Sequence, residues 1–357
     1  MSPSSSTDPV IVGVGMMTSV GLSAPETAAS VRATIMRFGE TPIRDHRFDP
    51  FVLAEVPEDG MPALAESVER ETGLTSREMR MLRLGTMPLI ESLAHLPPGE
   101  KAPALALALP EMQPGHRVDG ARFLKLFAMQ TGNRFDLSKS AAVDEGRAGA
   151  LVAVARAAQM IRSGQAGFAL AGAIDTYRDL YVLGTLDLEE RVKSAVHLDG
   201  FIPGEGAAFL LLASGVAAKA AGLRPLARVT RVALDEEPGH MYSDKPYKGD
   251  GLAKTLAQLF SSGDVGAPIA EVFSSMNGES HWAKEWGVGF LRNKGSFVED
   301  HGMHHPADCF GDTGSASGPL MIGLAALGVR DGYRKSPCLV YCSSDRGARA
   351  ALAVASI

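Results

Sequence analysis

The sequence predicts an α/β protein built of two similar halves around a largely parallel sheet. Short apolar runs typical of buried strands alternate with helical segments along the chain, and this alternation favours parallel strands covered on both faces. Each half also contains a glycine-rich turn, a helix of small residues and a buried strand. The 357 residues are 45% hydrophobic and 21% charged, which is ordinary for a globular protein with a sizeable core.

The elements of the first half follow from their apolar spacing. Pro25 suits the first turn of a helix, Ser76 with Glu78 caps the start of another, and Gly164 stops a third. Between about residues 40 and 75, Pro, Asp and Glu are frequent, which indicates excursions over the surface. The patterns predict, in order, a strand at 10–21, helices at 24–35 and 76–96, a strand at 102–110, a helix at 149–164 and a strand at 167–175.

The second half repeats this order of elements. Strands are predicted at 225–234 and 337–344, and helices at 251–263 and 317–329. The small residues of the helices at 149–164 and 317–329 would let these two helices pack closely at the centre of the fold. The predicted organisation is a loose tail at 1–9, a first half at 10–215 and a second half at 216–357.

Composition excludes several classes of function. The formal net charge is −6 with no basic cluster, which argues against nucleic-acid binding. The apolar runs are too short to span a membrane, the N-terminus lacks the pattern of a secretion signal, and three cysteines are too few for a disulfide framework. A cytoplasmic protein is therefore expected. No cofactor is predicted, since the GDTGSASG segment lacks the lysine of a phosphate-binding loop.

Two stretches resemble β-ketoacyl synthases, which belong to the thiolase-like superfamily. These are DGFIPGEGAAFLLL (199–212) and AGALVAVARAAQMIRSGQAGFALAGAIDTY (148–177). Weaker matches at 10–27 and 311–327 occur in the same order as in that family. The resemblance implies a five-layered αβαβα sandwich of two similar halves that forms a homodimer or a heterodimer with another protein. It also implies an acyl carrier protein or a CoA thioester as ligand.

The resemblance identifies the positions of the family's catalytic residues. A cysteine normally stands where the first small-residue helix begins, with its thiolate stabilised by the helix N-terminus. Here that position is Arg147, and arginine cannot act as a nucleophile at ordinary pH. The first histidine falls on Met276, or on Asn277 if the register shifts by one residue, and thiolases proper carry an asparagine near this point. The second histidine falls on Asp312.

Two further positions of the family have changed as well. The family's lysine, five residues before the second histidine, is Ala307 here. The late glycine-rich gate corresponds to SSDR (343–346), so that Asp345 and Arg346 are placed to line it. Arg147 is predicted to pair with Asp312 and to close the old pocket with a charge-assisted bond.

These replacements predict a non-condensing ketosynthase-like protein. Condensation requires a thiolate to carry the acyl group and imidazoles to stabilise the developing charge. The chain would then act by binding, as a scaffold or accessory subunit, either as the silent partner of an active ketosynthase or as an adaptor. The alternative is an acyltransferase or thioesterase that acts on acyl-CoA or acyl carrier protein through a rebuilt site of Asn277, Asp312 and a cysteine.

Cys309 and Cys342 are the cysteines that the alternative would use, although free cysteines are usually buried apolar residues. The stretch HGMHHPADC (301–309) groups zinc-ligand types in what is expected to be a loop, but its spacing fits no standard motif, and no metal site is predicted. Trp282 and Trp286, four residues apart on one helix face, fit either a core or an anchor for a partner. His197, just before the DGFIPGEG loop, is expected to be structural.

Overall fold

The computed structural model describes residues 8–111 and 117–357, so most of the predicted tail at 1–9 lies outside the described residues. The elements of the first half lie close to the predicted ones. They are strands β1 (Pro9–Thr18), β2 (Gly39–Arg44), β3 (Pro50–Leu53), β4 (Ala104–Ala108), β5 (Ala141–Val143), β6 (Phe168–Thr176) and β7 (Glu205–Ser214), and helices α1 (Ala24–Arg32), α2 (Glu66–Glu69), α3 (Ser76–Ser92), α4 (Gly120–Gln130), α5 (Gly146–Arg162), α6 (Leu180–Leu188) and α7 (Gly215–Ala220).

The second half is smaller and has the same alternation. Its strands are β8 (Ala227–Val229), β9 (Ala233–Glu236), β10 (Ile269–Ser274), β11 (Phe297–His304), β12 (Cys338–Ser343) and β13 (Ala348–Ala355), and its helices are α8 (Asp250–Ser261), α9 (Ser280–Asn293), α10 (Ala307–Phe310) and α11 (Ser317–Arg330).

The two halves repeat one strand order. In the first half the order across the sheet is β5-β4-β6-β7-β1, and in the second it is β11-β10-β12-β13, with β8 and β9 both pairing with β13. In each half the outer three strands are parallel, and the next strand, β7 or β13, runs antiparallel to its neighbours. Strand β8 also pairs with β1, so hydrogen bonds join the halves into one eleven-stranded sheet within the described residues.

Three apolar clusters separate the layers. A central cluster joins α5 and α11 to strand residues of both halves. A second cluster packs α3 and α4 on the outer face of the first half, and a third packs α8 and α9 on that of the second. Helices therefore cover both faces of the sheet in each half, which confirms the predicted α/β architecture.

The central pair of helices is tightly packed, as their small residues predict. A Cβ at Gly318 of α11 would lie 2.6 Å from the Cβ of Ala150 and 2.7 Å from Cδ1 of Leu151, both on α5. Those distances are shorter than real carbon contacts, so only glycine fits at Gly318. The close approach fixes the start of α5 relative to the turn that precedes α11.

Several details of the sequence prediction were wrong. The sheet is mixed, not largely parallel, because β7 and β13 run antiparallel to the strands beside them. The cap of α3 is Thr75, whose hydroxyl accepts from the Glu78 amide in a capping box, and Ser76 is already helical. The expected strand at 225–234 is interrupted and forms β8 and β9. The region at 40–75 includes the hairpin of β2 and β3, which buries Phe51 and Leu53.

No helix among the described residues is long and apolar enough to cross a membrane.

Candidate functional site

The site is built at the start of α5. Strand β5 ends at Val143, and the chain enters the helix through Gly146, whose φ of +60° is readily adopted by glycine. Arg147 follows with a side chain only 3% exposed. A cation at a helix N-terminus is opposed by the helix dipole, and a buried guanidinium requires acidic partners. The structure supplies two.

Asp312 and Asp345 bind the Arg147 guanidinium. Arg147 donates through Nε and Nη2 to the Asp312 carboxylate, which is fully buried, so the predicted pairing is present. It donates through Nη1 to Oδ1 of Asp345 at 2.6 Å. A weaker contact of 3.4 Å joins Nη2 to the hydroxyl of Tyr177. All three guanidinium nitrogens are therefore occupied by this chain's own side chains.

Glycines set the backbone position of Asp312. Gly311, with a φ of +69°, lies next to the DGFIPGEG loop, and the Asp312 carbonyl accepts from the Gly204 amide at 2.8 Å. A Cβ at Gly204 would come within 2.4 Å of the Phe310 carbonyl oxygen, so this approach requires glycine. The Asp312 carboxylate also accepts from the Gly314 amide at 2.8 Å. The motif that carries the family resemblance thus places Asp312 opposite Arg147.

A second arginine extends the network to the surface. Arg191 follows α6 and forms ion pairs with Asp345 and Glu279 through all three of its guanidinium nitrogens. Asn277 donates to Glu279 at 3.0 Å and to Oδ2 of Asp312 at 2.7 Å, which closes a cycle. We call these six side chains the ionic ring: Arg147, Asp345, Arg191, Glu279, Asn277 and Asp312.

Burial and charge have opposite effects on the groups of the ionic ring. Burial alone lowers the pKa of Arg147, but Asp312 and nearby Asp345 outweigh it and raise that pKa well above its ordinary value. Burial alone raises the pKa of Asp345, but Arg147 and Arg191 hold it well below its ordinary value. Both partners therefore remain charged across the physiological range of pH. Glu111 lies beside this site, and burial together with Asp345 raises its pKa to about 7.

The two candidates for the first histidine position have different surroundings. Asn277 lies after β10 and contacts Asp312, whereas Met276 is half-buried and contributes no side-chain hydrogen bond. Ala307, at the position that the resemblance assigns to the lysine, lines a small cavity with Asp312. That cavity holds about 10 Å³, which is room for one water molecule at most.

The segment in the gate position seals the start of α5. Ser344 accepts from the Ala148 amide at 2.9 Å and donates to the Glu145 carbonyl at 2.5 Å. Asp345 belongs to the ionic ring, but Arg346 is exposed and stacks on Tyr242, 5.4 Å from the ring centroid. Of the two residues predicted to line the gate, only Asp345 therefore faces Arg147.

The candidate cysteines are poorly suited to nucleophilic catalysis. Cys342 is fully buried, and burial raises the pKa of its thiol far above the ordinary value. Cys309 is also buried, and burial raises its pKa in the same direction. A thiol with a raised pKa contains little thiolate at neutral pH.

The histidine-rich stretch at 301–309 is not the loop expected from the sequence, since it is shared by β11 and α10. His304 contacts Glu271 at 2.6 Å, and His305 contacts Ser274 at 2.7 Å. Within the ranges that the structure describes, no three His, Cys, Asp or Glu side chains come together as a metal site.

The two tryptophans occupy different environments. Trp282 is buried and donates through Nε1 to Glu279 at 3.0 Å, with the Arg147 guanidinium 5.5 Å from its ring centroid. Trp286 stacks on Tyr341 and joins the outer apolar cluster of the second half. Both therefore pack within this chain.

Sequence reasoning missed two members of the ionic ring, Arg191 and Glu279. Neither lies at a family catalytic position, so the resemblance gave no reason to select them. The available signal was charge: Arg147 needed more than one carboxylate, and a second buried arginine was needed to balance the second carboxylate.

A sequence comparison with known protein families matches the part of the chain that contains Arg147. Residues 138–218 match the sequence model for the β-ketoacyl synthase, N-terminal domain, a segment that contains the start of α5 and the DGFIPGEG loop. No curated protein matches the chain.

Solved ketosynthase structures match nearly the whole chain. One, a type II polyketide synthase acyl-carrier protein in complex with its ketosynthase bound to the hexaketide, has a TM-score of 0.78 at 15% identity and covers 98% of this chain and 99% of its own. The ishigamide ketosynthase/chain length factor has a TM-score of 0.77 at 17% identity, with coverage of 98% and 99%. The ketosynthase from module 6 of the bacillaene synthase of Bacillus subtilis 168 has a TM-score of 0.78 at 12% identity, with coverage of 98% and 72%. This chain therefore has the thiolase-like fold of ketosynthases, with a β-ketoacyl synthase sequence match around the start of its central helix.

Proposed function

We propose that this protein is a non-condensing ketosynthase-like protein that acts by binding, as a scaffold or accessory subunit. The observation that carries the proposal is the pairing of Arg147 with Asp312 and Asp345, since the resemblance assigns the nucleophile position to Arg147. An arginine cannot accept an acyl group, and two ion pairs hold its side chain where an acyl chain would otherwise enter.

The space around Arg147 supports the same function. The cavity beside Asp312 has room for about one water molecule, whereas a drug-sized ligand needs roughly 300 Å³ or more. Asp312 as an anion would also oppose the enolate that forms during condensation. Opening a pocket at this point would require separation of buried ion pairs, which is costly.

The paired assembly implied by the family resemblance is part of the proposal. Strand β5 forms the end of the sheet path, pairing with β4 only among the described strands. An edge strand offers backbone groups for pairing with a second chain. The structural neighbours include a ketosynthase/chain length factor and a ketosynthase in complex with an acyl-carrier protein. We therefore propose a homodimer or a heterodimer with an active ketosynthase.

The alternative is an acyltransferase or thioesterase with a rebuilt site. The 2.7 Å contact between Asn277 and Asp312 favours it, because it gathers two polar groups at the old catalytic centre. Against it, the buried thiols of Cys309 and Cys342 have raised pKa values. The side-chain amide of Asn277 is also already hydrogen-bonded to Glu279 and Asp312.

Mass spectrometry of the intact protein separates the two functions. The protein is incubated with acetyl-, malonyl- and longer acyl-CoA, and free CoA is measured in parallel. We expect no adduct and no CoA release above the rate of a blank. A stoichiometric adduct that disappears in Cys309→Ser or Cys342→Ser, or CoA release that disappears in Asn277→Ala, would overturn the non-condensing proposal.

A further inference from the structure

A large open cleft lies at the surface end of the ionic ring. It is formed by segments 189–199, 241–247 and 279–284 and encloses about 980 Å³. We call it the acidic cleft. Arg191 and Glu279 belong both to its wall and to the ionic ring. The ring therefore lies between the acidic cleft and the small cavity beside Asp312.

The charge of the acidic cleft is negative. Its lining contains the carboxylates of Glu189, Glu190, Asp199 and Glu279 but only two cations, Arg191 and Lys284. Arg191 is already bound by Asp345 and Glu279 through all its nitrogens, so it is not available for an incoming anion.

Glu190 is the most available of these carboxylates. Its side chain is 72% exposed, and its contact with His197 is long, at 3.8 Å. Glu189, by comparison, accepts from the Tyr242 hydroxyl at 2.7 Å. An anionic ligand, such as the phosphates of CoA, would meet this surplus of carboxylates at close range.

Apolar and aromatic side chains line the same cleft. Leu198 is 73% exposed and Val196 is 58% exposed, so both present apolar surface in the cleft. Tyr242 is exposed as well, and the Tyr247 ring lies 4.4 Å from that of His281.

The wall of the acidic cleft also has unpaired polar atoms. Nε2 of His197, the hydroxyl of Tyr247 and Nε2 of His281 are buried and have no hydrogen-bond partner among the described residues. Buried polar atoms normally have partners, so the hydrogen bonding of this wall is incomplete within the described residues. His197, expected from the sequence to be structural, is one of the residues with such an unpaired atom.

We propose that the acidic cleft binds an extended segment of a partner protein in which arginine lies next to an aliphatic residue. A guanidinium pairs with a carboxylate and stacks on tyrosine, while its stem and the aliphatic neighbour cover apolar surface. Glu190 supplies the carboxylate and Leu198 the apolar surface, and the incoming guanidinium takes the place of the exposed Arg346 side chain on the Tyr242 ring. The inference rests on the proposed binding role and specifies the chemistry of the partner.

Fluorescence anisotropy with short labelled peptides tests the proposal. One peptide alternates leucine with arginine, a second replaces arginine with glutamate, and a third replaces it with lysine. We expect saturable binding of the arginine peptide, weaker binding of the lysine peptide and none of the glutamate peptide. Free CoA should not compete with the arginine peptide.

Variants assign the binding to the acidic cleft. Glu190→Lys should weaken the affinity for the arginine peptide by about tenfold or more, since it places like charges together. Leu198→Ser should weaken the same affinity by loss of apolar contact. Glu299→Lys, at an exposed position of β11, makes the same change in net charge elsewhere and should bind as the unmodified protein does. Thermal melts establish that each variant is folded.

The possible results have distinct meanings. Absence of saturable arginine-peptide binding, equal loss in Glu190→Lys and Glu299→Lys, or competition by CoA would each overturn the assignment of the acidic cleft. Failure of the proposed function would appear differently, as an acyl adduct or CoA release. If the peptides fail and no acyl chemistry is found, the non-condensing function stands without this binding site.

Discussion

Replacement of Arg147 by methionine tests how strongly the ionic ring depends on its buried cation. Arg147 is 3% exposed and is the only cation that contacts Asp312 in the described residues. In Arg147→Met, Asp345 keeps Arg191 as its partner, and Asp312 keeps only the neutral donors Asn277 and the Gly314 amide. A buried carboxylate without a counterion costs about 3–5 kcal/mol. We expect the free energy of unfolding to fall by that amount, a large share of a typical total.

Two further variants show whether the loss arises from the Arg147–Asp312 pair. Asp312→Asn should cost about 1–3 kcal/mol, because Arg147 retains Asp345. The double variant Arg147→Met/Asp312→Asn should cost at least about 1 kcal/mol less than the two single losses together. Arg292→Met breaks an exposed pair with Asp250 and should change stability by no more than about 1 kcal/mol.

Urea unfolding followed by tryptophan fluorescence measures all four variants, and the position of Trp282 beside Arg147 makes the signal sensitive to the site. If Arg147→Met costs no more than Arg292→Met, the ionic ring does not hold the pocket closed. If the losses of the two single variants simply add, Arg147 and Asp312 are not coupled. Either result would refute the reasoning.

Three other perturbations have defined outcomes. Because the pKa of Glu111 is raised to about 7, its stabilising effect is present at low pH and is lost as pH rises through that value. Between pH 5 and pH 8, the free energy of unfolding of the unmodified protein should therefore fall by about 1–3 kcal/mol more than that of Glu111→Gln, as measured by urea unfolding. Equal pH dependence of the two proteins would contradict the raised pKa. Gly318→Ala should cost about 1–3 kcal/mol by overpacking, whereas Gly287→Ala, with open space at its Cβ, should be neutral or slightly stabilising; equal effects would contradict the close approach of α5 and α11. Cys342 should react with N-ethylmaleimide only after denaturation, as mass spectrometry would show. Rapid labelling of Cys342 in the native protein would instead support the alternative acyltransferase or thioesterase.

The fold could be predicted from the sequence because its signals are local and repeated. The small-residue stretches at 149–164 and 317–329 predicted two central helices, and the structure places both there in contact. Strand direction was harder to predict from the sequence. The pattern of a buried strand is the same whether its neighbour is parallel or antiparallel, so the reversal at β7 and β13 could not be deduced from apolar spacing.

The candidate site was partly predictable for a different reason. Arg147, Asn277 and Asp312 lie at positions where the resemblance directs attention, and opposite charges at two of them predicted the pairing that the structure contains. Arg191 and Glu279 lie on loops whose approach to Asp345 depends on the assembled fold, and no local pattern encodes such a distance. Yet a second cation such as Arg191 follows from electrostatics, because a buried Arg147 bound by two aspartates leaves a net negative site. Glu279 does not follow from this argument, since it adds a third carboxylate. A count of buried charges therefore predicts that the ionic ring has a further cation, although only the structure shows which residue it is.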